Sequence, residues 1–144
     1  MIKKVSSLAL LDTHIWIWLI NNDQRIRSDK FIKKIQEFED KKGLRVSVIS
    51  IWEIGILHAK GRIRFPFSVH QWIQKALDPP GMLLAELTPE IALESAHLPG
   101  TFHGDPADRI IVTTAQSLGA TLVTVDQRIL KYAKEHHLEV LSIP

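Results

Sequence analysis

Residues 121–136 read Thr-Leu-Val-Thr-Val-Asp-Gln-Arg-Ile-Leu-Lys-Tyr-Ala-Lys-Glu-His. The first five, rich in β-branched and apolar side chains, predict a strand, and residues 127–136 read as the helix that follows. Asp126 falls between them, at the carboxyl end of the strand. Open α/β sheets place their ligand crevice there. Leu8-Ala9-Leu10-Leu11 closed by Asp12 repeats the pattern near the amino terminus.

Working outward, strand-like runs alternate with helical ones, which argues for βαβ units around a mostly parallel sheet. After Asp12, residues 13–20 are apolar nearly all round. Ser28 or Asp29 opens a helix carrying Phe31, Ile35 and Phe38, which Gly43 ends. Val46 to Ile49 reads as the second strand, and Ser50 as the start of a helix carrying Trp52, Ile56 and Ala59 until Gly61. A further helix spans Val69 to Leu77. Asp78-Pro79-Pro80-Gly81 is a turn by composition, with a strand from Met82 to Leu87 beyond it. Thr88 and Pro89 open the next helix. A loop from His97 to Gly104 precedes Asp105-Pro106-Ala107-Asp108, the clearest helix start in the chain. The last strand is Val140 to Ile143. Five strands and six or seven helices are expected, without repeats, in one domain covering residues 1–144, a length suited to a single core.

Composition narrows the function. A net charge of +2 permits a polyanionic partner without demanding one. The absence of cysteine rules out disulfides and thiolate metal sites and fits a reducing cytoplasm. Met1 to Lys4 and the apolar residues 5–11 resemble a signal peptide only superficially, because the run breaks at Asp12 and no cleavage pattern follows. No apolar run approaches the roughly 20 residues that span a bilayer. A cytoplasmic protein with no membrane association is expected.

Asp12, Glu53, Asp108 and Asp126 all stand where apolar runs give way to helix starts. If they converge, two carboxylates about 5 Å apart repel by about 3 kcal/mol at an effective dielectric near 20, a cost that a divalent cation removes. Magnesium or manganese suits such an oxygen-only donor set, and metal-assisted phosphodiester hydrolysis is the chemistry that follows. Each acid also has a local role open to it. Asp12 and Asp126 can cap the helices after them, and Ser50-Ile51-Trp52-Glu53 fits a capping box. With Pro106 in the first helical position, Asp105 becomes the cap and Asp108 the freer ligand. Arg109 is placed to clamp a phosphate or balance the acids, or simply to face solvent.

Leu-Leu-Asp-Thr-His at 10–14, Ser-x-x-Ser-x-Trp-Glu-Ile at 47–54, His-Gly-Asp-Pro-Ala-Asp-Arg at 103–109 and Leu-Val-Thr-Val-Asp at 122–126 together resemble a PIN domain, over nearly the whole chain. The likeness is nearest to VapC-type ribonuclease toxins. It implies a three-layer α/β/α fold with a five-stranded sheet and magnesium-dependent RNA cleavage that leaves a 5′-phosphate and a 3′-hydroxyl. It also implies homodimerisation and inhibition by a small antitoxin protein. Asp12, Glu53, Asp108 and Asp126 match the four family acids. Asp105 belongs to an Asp-Pro-x-Asp-Arg variant, as a cap or as a group behind the ligands. Thr13 and Thr124 match hydroxyl positions that orient a carboxylate or water, or bond only to nearby backbone.

Lys60, Arg62 and Arg64 form a basic loop able to hold RNA phosphates, or only a solvated turn. His14 and His103 lack partners at metal-ligand spacing and read as packing or hydrogen-bonding residues. Trp16, Trp18 and Trp52 can line a groove for an antitoxin helix, with Trp52 the one expected in the core. Two rivals remain: a non-catalytic RNA-binding or antitoxin-sequestering module, and an aspartyl phosphatase. The phosphatase wants a second aspartate where His14 stands.

Overall fold

In the computed structural model, residues 6–143 are described, so the basic lead Met1 to Lys4 and the start of the first apolar run at Val5 lie outside them. Five strands form one sheet: β1 (Ala9–Leu11), β2 (Leu44–Ser47), β3 (Met82–Ala85), β4 (Thr121–Val123) and β5 (Val140–Leu141). Their spatial order is β3-β2-β1-β4-β5, and every pairing is parallel.

Among the described residues seven α-helices connect them: α1 (Thr13–Ile20), α2 (Asp29–Asp40), α3 (Val48–Ala59), α4 (Val69–Ala76), α5 (Pro89–Ser95), α6 (Pro106–Leu118) and α7 (Gln127–His136). A 3-10 turn spans Gln24–Ile26. No helix among the described residues is long and apolar enough to cross a membrane.

Strand alternation builds the three layers. Ala9, Leu11, Val46 and Val123 face a core shared with Ile15, Trp16, Phe31, Ile54 and Trp72. Leu10 and Leu122 face the opposite way, into a core with Ile111, Val112, Ile129 and Tyr132. Buried on both faces, β1 and β4 read as continuous apolar runs rather than alternating ones. Trp16 and Trp72 meet edge to face at 5.3 Å, both fully buried.

Helix starts follow side-chain chemistry. Ser28 caps α2 by accepting the Phe31 amide, and Ser68 forms a reciprocal capping box with Gln71. Asp105 caps α6, Pro106 opens it, and Gly119 closes it in the left-handed region.

Three expectations are corrected. Helix α3 begins at Val48, not Ser50, because the Ser47 hydroxyl accepts the Ile49 amide and turns the β-branched run into a helix two residues early. Strand β2 accordingly runs from Leu44 to Ser47. Helix α2 ends at Asp40, before Gly43, and Lys42 takes the left-handed conformation. Gly43 answers a different demand: a Cβ there would stand 1.8 Å from the Ser7 carbonyl oxygen. The strands at 82, 121 and 140 are also shorter than expected.

The strand order fixes the ligand edge. From β1 the chain moves outward to β2 and β3, then returns to β4 on the other side of β1. The order therefore reverses between β1 and β4. A crevice opens at the carboxyl ends of such strands.

Candidate active site

Asp12 and Asp126 follow the two strands that flank this switch point, and the Asp12 amide donates to the Val123 carbonyl at 2.9 Å. Both aspartates are helix N-caps. Asp12 Oδ1 accepts the Thr13 amide at 2.8 Å. Asp126 Oδ1 accepts the amides of Arg128 and Ile129 at 2.8 and 3.3 Å. Capping and ligand roles are compatible here, because a carboxylate has about four lone-pair sites and each cap occupies one oxygen.

Thr124 ties the two acids together. Its hydroxyl donates to Asp12 Oδ2 at 2.6 Å and accepts the Asp126 amide at 3.1 Å. Thr13 does the same for Glu53. Its Oγ1 lies 2.5 Å from Glu53 Oε1 and 2.8 Å from Ser50 Oγ. Having one proton, it donates to the carboxylate and accepts from the serine. The capping-box reading of Ser50 and Glu53 fails for a geometric reason: with Ser47 as cap, Glu53 sits a turn and a half inside α3, beyond reach of the helix start.

Asp108 lies in the first turn of α6, buried, while Asp105 Oδ1 accepts its amide at 3.1 Å and stays exposed. Burial pushes the Asp108 carboxyl up to about 7, with further pressure from the charges of Asp12, Asp105, Asp126 and Glu53. Burial likewise raises Glu53, against the Thr13 hydrogen bond, with Asp12 and Asp105 adding to the rise. Asp12 is raised by burial despite the bonds from Thr124 and Thr13 and the nearby His14. Five acids drawn from β1, α3, α6 and β4 thus feel one another across a single crevice. Asp105 is both a cap and a member of this field.

Two more residues stand among them: Arg128, which the sequence reading passed over, and His103, which it read as a packing or hydrogen-bonding residue. Arg128 places a guanidinium nitrogen 3.9 Å from Asp108 Oδ2 and 3.8 Å from Asp126 Oδ2. An arginine in a first helical turn opposes the helix dipole, and that was its available signal. His103 Nε2 lies 3.3 Å from Asp108 Oδ2. Its Nδ1 accepts the Asp105 amide at 3.3 Å, so the proton sits on Nε2 and faces the acid. Burial and the charge of Arg128 lower the His103 pKa, which keeps the ring neutral.

Other expected site residues lie elsewhere. Arg109 is engaged away from the acids. Its guanidinium donates to the carbonyls of Ser95, Phe102, His103 and Ala96 at 2.9 to 3.4 Å, pinning the 96–103 segment to α6. Lys60, Arg62 and Arg64 are exposed at the far end of α3 and beyond it, with no ion pair to the acids among the described residues. Arg62 instead lines a groove with His14 and Trp18. Trp52, expected in the core, is 57% exposed, whereas Trp16 is fully buried.

Asp12, Glu53, Asp108 and Asp126 offer the all-oxygen donor set that magnesium or manganese takes, and the raised Asp108 carboxyl marks a crevice short of positive charge. Among the described residues, no three acidic or histidine side chains are already gathered into a ligand shell.

The PIN domain family model matches residues 9–135. Over 121 residues the chain is 34% identical to Ribonuclease VapC22 of Mycobacterium tuberculosis (strain ATCC 25618 / H37Rv), covering 84% of this chain and 88% of that protein. Among solved structures it is similar to VapBC2 from Rickettsia felis bound to a DNA fragment from their promoter. The TM-score is 0.67 at 16% identity, over 94% of this chain and 98% of that one.

Proposed function

The chain belongs to the PIN domain family, and on that premise we propose that it is a divalent-metal-dependent endoribonuclease and the toxin of a toxin–antitoxin pair. One observation carries the reading: Asp12, Glu53, Asp108 and Asp126 share an electrostatic field at the reversal of strand order, where α/β folds bind ligands. The identity to a VapC ribonuclease supports RNA as the substrate.

The four acids hold magnesium or manganese. When bound, the ion polarises the phosphate and lowers the pKa of the attacking water. The protein's own groups do the rest. Thr124 fixes Asp12, Thr13 fixes Glu53, and the Asp105 cap fixes the first turn of α6 under Asp108. Arg128 relieves part of the repulsion between Asp108 and Asp126 and is free to turn to an incoming phosphate. Water adds to phosphorus and the bond to O3′ breaks, leaving a 5′-phosphate and a 3′-hydroxyl.

The partners are a small antitoxin protein and a second copy of this chain. Exposed Trp52 and Ile56, one turn apart on α3, supply an apolar contact for them. A cysteine-free chain that acts on RNA belongs in the cytoplasm.

The test is cleavage of a short single-stranded RNA with magnesium, with EDTA, and by Asp12→Asn. Cleavage should require magnesium and fall at least about 100-fold in the variant, as loss of a metal-site group implies. Cleavage surviving both treatments overturns the metal site. Magnesium binding with no cleavage of any RNA favours the binding module.

A further inference from the structure

A second cleft, of about 350 Å³, opens beside the acids, between the 101–103 segment and the outer face of α7. His103 and Arg128 belong to both places: each lines the cleft and each stands within 3.9 Å of Asp108 Oδ2. Anything held there lies next to the acidic crevice.

The walls are preset. Tyr132 is fixed by its hydroxyl donating to the Pro99 carbonyl at 2.8 Å, and Phe102 packs edge to face on it at 4.9 Å. The Arg109 guanidinium holds the carbonyls of both Phe102 and His103. Tyr132 is itself buried and covered by the stacked His136 ring, so the half-buried Phe102 ring is the aromatic surface that the cleft offers. Around it the rim is charged. Arg128, Lys131 and Glu135 are all exposed and follow one another at three- and four-residue steps along one face of α7.

A half-buried aromatic ring beside paired cations suits single-stranded nucleic acid: a base packs on the ring and phosphates meet the cations. The volume lies at the small end of ligand pockets, suited to one nucleotide rather than a long segment. We propose that this cleft is a nucleotide subsite, taking one unstacked base of the RNA beside the cut bond, with Lys131 on its phosphate and Glu135 accepting from the base edge. This rests on the ribonuclease reading above.

Two measurements keep the two ideas apart. Cleavage of a random RNA pool by wild type, Phe102→Leu, Lys131→Ala and Glu135→Ala reads out KM, kcat and base preference at each position around the cut. Lys131→Ala should raise KM about five- to tenfold with kcat nearly unchanged, in keeping with a lost phosphate contact. Phe102→Leu and Glu135→Ala should flatten preference at a single flanking position. Separately, RNA carrying 5-iodouridine is photo-crosslinked to the Asp12→Asn protein, with adducts expected at Phe102 or His103. Wild-type turnover with unchanged variants and crosslinks only elsewhere overturns the subsite and leaves the ribonuclease standing. Crosslinks in the cleft without turnover overturn the enzyme and leave the cleft as a nucleotide site.

Discussion

Thr124 Oγ1 lies 2.6 Å from Asp12 Oδ2, a hydroxyl-to-carboxylate bond between residues 112 positions apart. It joins the ends of β1 and β4 at the switch point and aims one buried oxygen of Asp12. Thr124→Val keeps the shape and removes the donor. Magnesium affinity and RNA cleavage should each fall about 10- to 100-fold, the usual effect of losing a group that orients a metal ligand. Stability should drop by about 1–3 kcal/mol from the buried acceptor left unpaired. Thr124→Ser should restore both. Calorimetric magnesium titration decides it; a valine variant that binds as wild type removes any orienting role.

The acids set the pH dependence of the metal-free fold. The folded-state carboxyl of Asp108, at about 7, lies above its ordinary 3.8, so the folded chain binds that proton more tightly than the unfolded one. Stability is therefore greatest below about 4, declines as pH rises toward about 7, and then levels off. The raised Asp12 and Glu53 act in the same direction. In EDTA, the urea midpoint should be higher at pH 5 than at pH 8, and Asp108→Asn should raise the pH 8 value. Equal midpoints at the two pH values would contradict the repulsive field. An asparagine variant less stable at pH 8 would return Asp108 to a purely structural role.

Arg109 should prove a latch. Its guanidinium satisfies carbonyls on both sides of the 96–103 segment, so Arg109→Ala leaves several acceptors without a donor and should cost about 3 kcal/mol. Lysine should recover less than half of this, since a compact ammonium cannot fork to carbonyls on both sides. A phosphate clamp predicts the opposite pattern, with stability intact and cleavage lost. Chemical unfolding alongside RNA cleavage separates the two.

How much was legible in the chain follows from how local each signal was. Asp12 and Asp126 could be read because each closes an apolar strand, and Pro106 was enough to give the cap to Asp105 rather than Asp108. The start of α3 was misread because four β-branched or small residues look like a strand until the Ser47 side chain takes the Ile49 amide. Arg109 depended on acceptors 6 to 14 residues away in an irregular loop, which no periodicity encodes. Arg128 gained its place only when the first turn of α7 came near that of α6, whereas the hydrogen-bonding role of His103 could be read and its approach to Asp108 could not. Trp52 misled through its composition: a large apolar residue in an apolar helix suggests a core, yet α3 turns Ile54 inward and Trp52 out.

That outward turn separates the tryptophans experimentally. Trp16 is fully buried and packed edge to face on Trp72, so Trp16→Ala should cost about 3–5 kcal/mol. Trp52 is 57% exposed, and Trp52→Ala should leave the stability of the isolated chain within about 0.5 kcal/mol of wild type. Its contribution should appear in association instead. Trp52→Glu puts a charge on the apolar face that also carries Ile56, and it should lower the light-scattering mass of any dimer while the unfolding midpoint holds. An unchanged dimer mass would move the contact off α3, and a large loss of stability would mean that Trp52 packs inward after all.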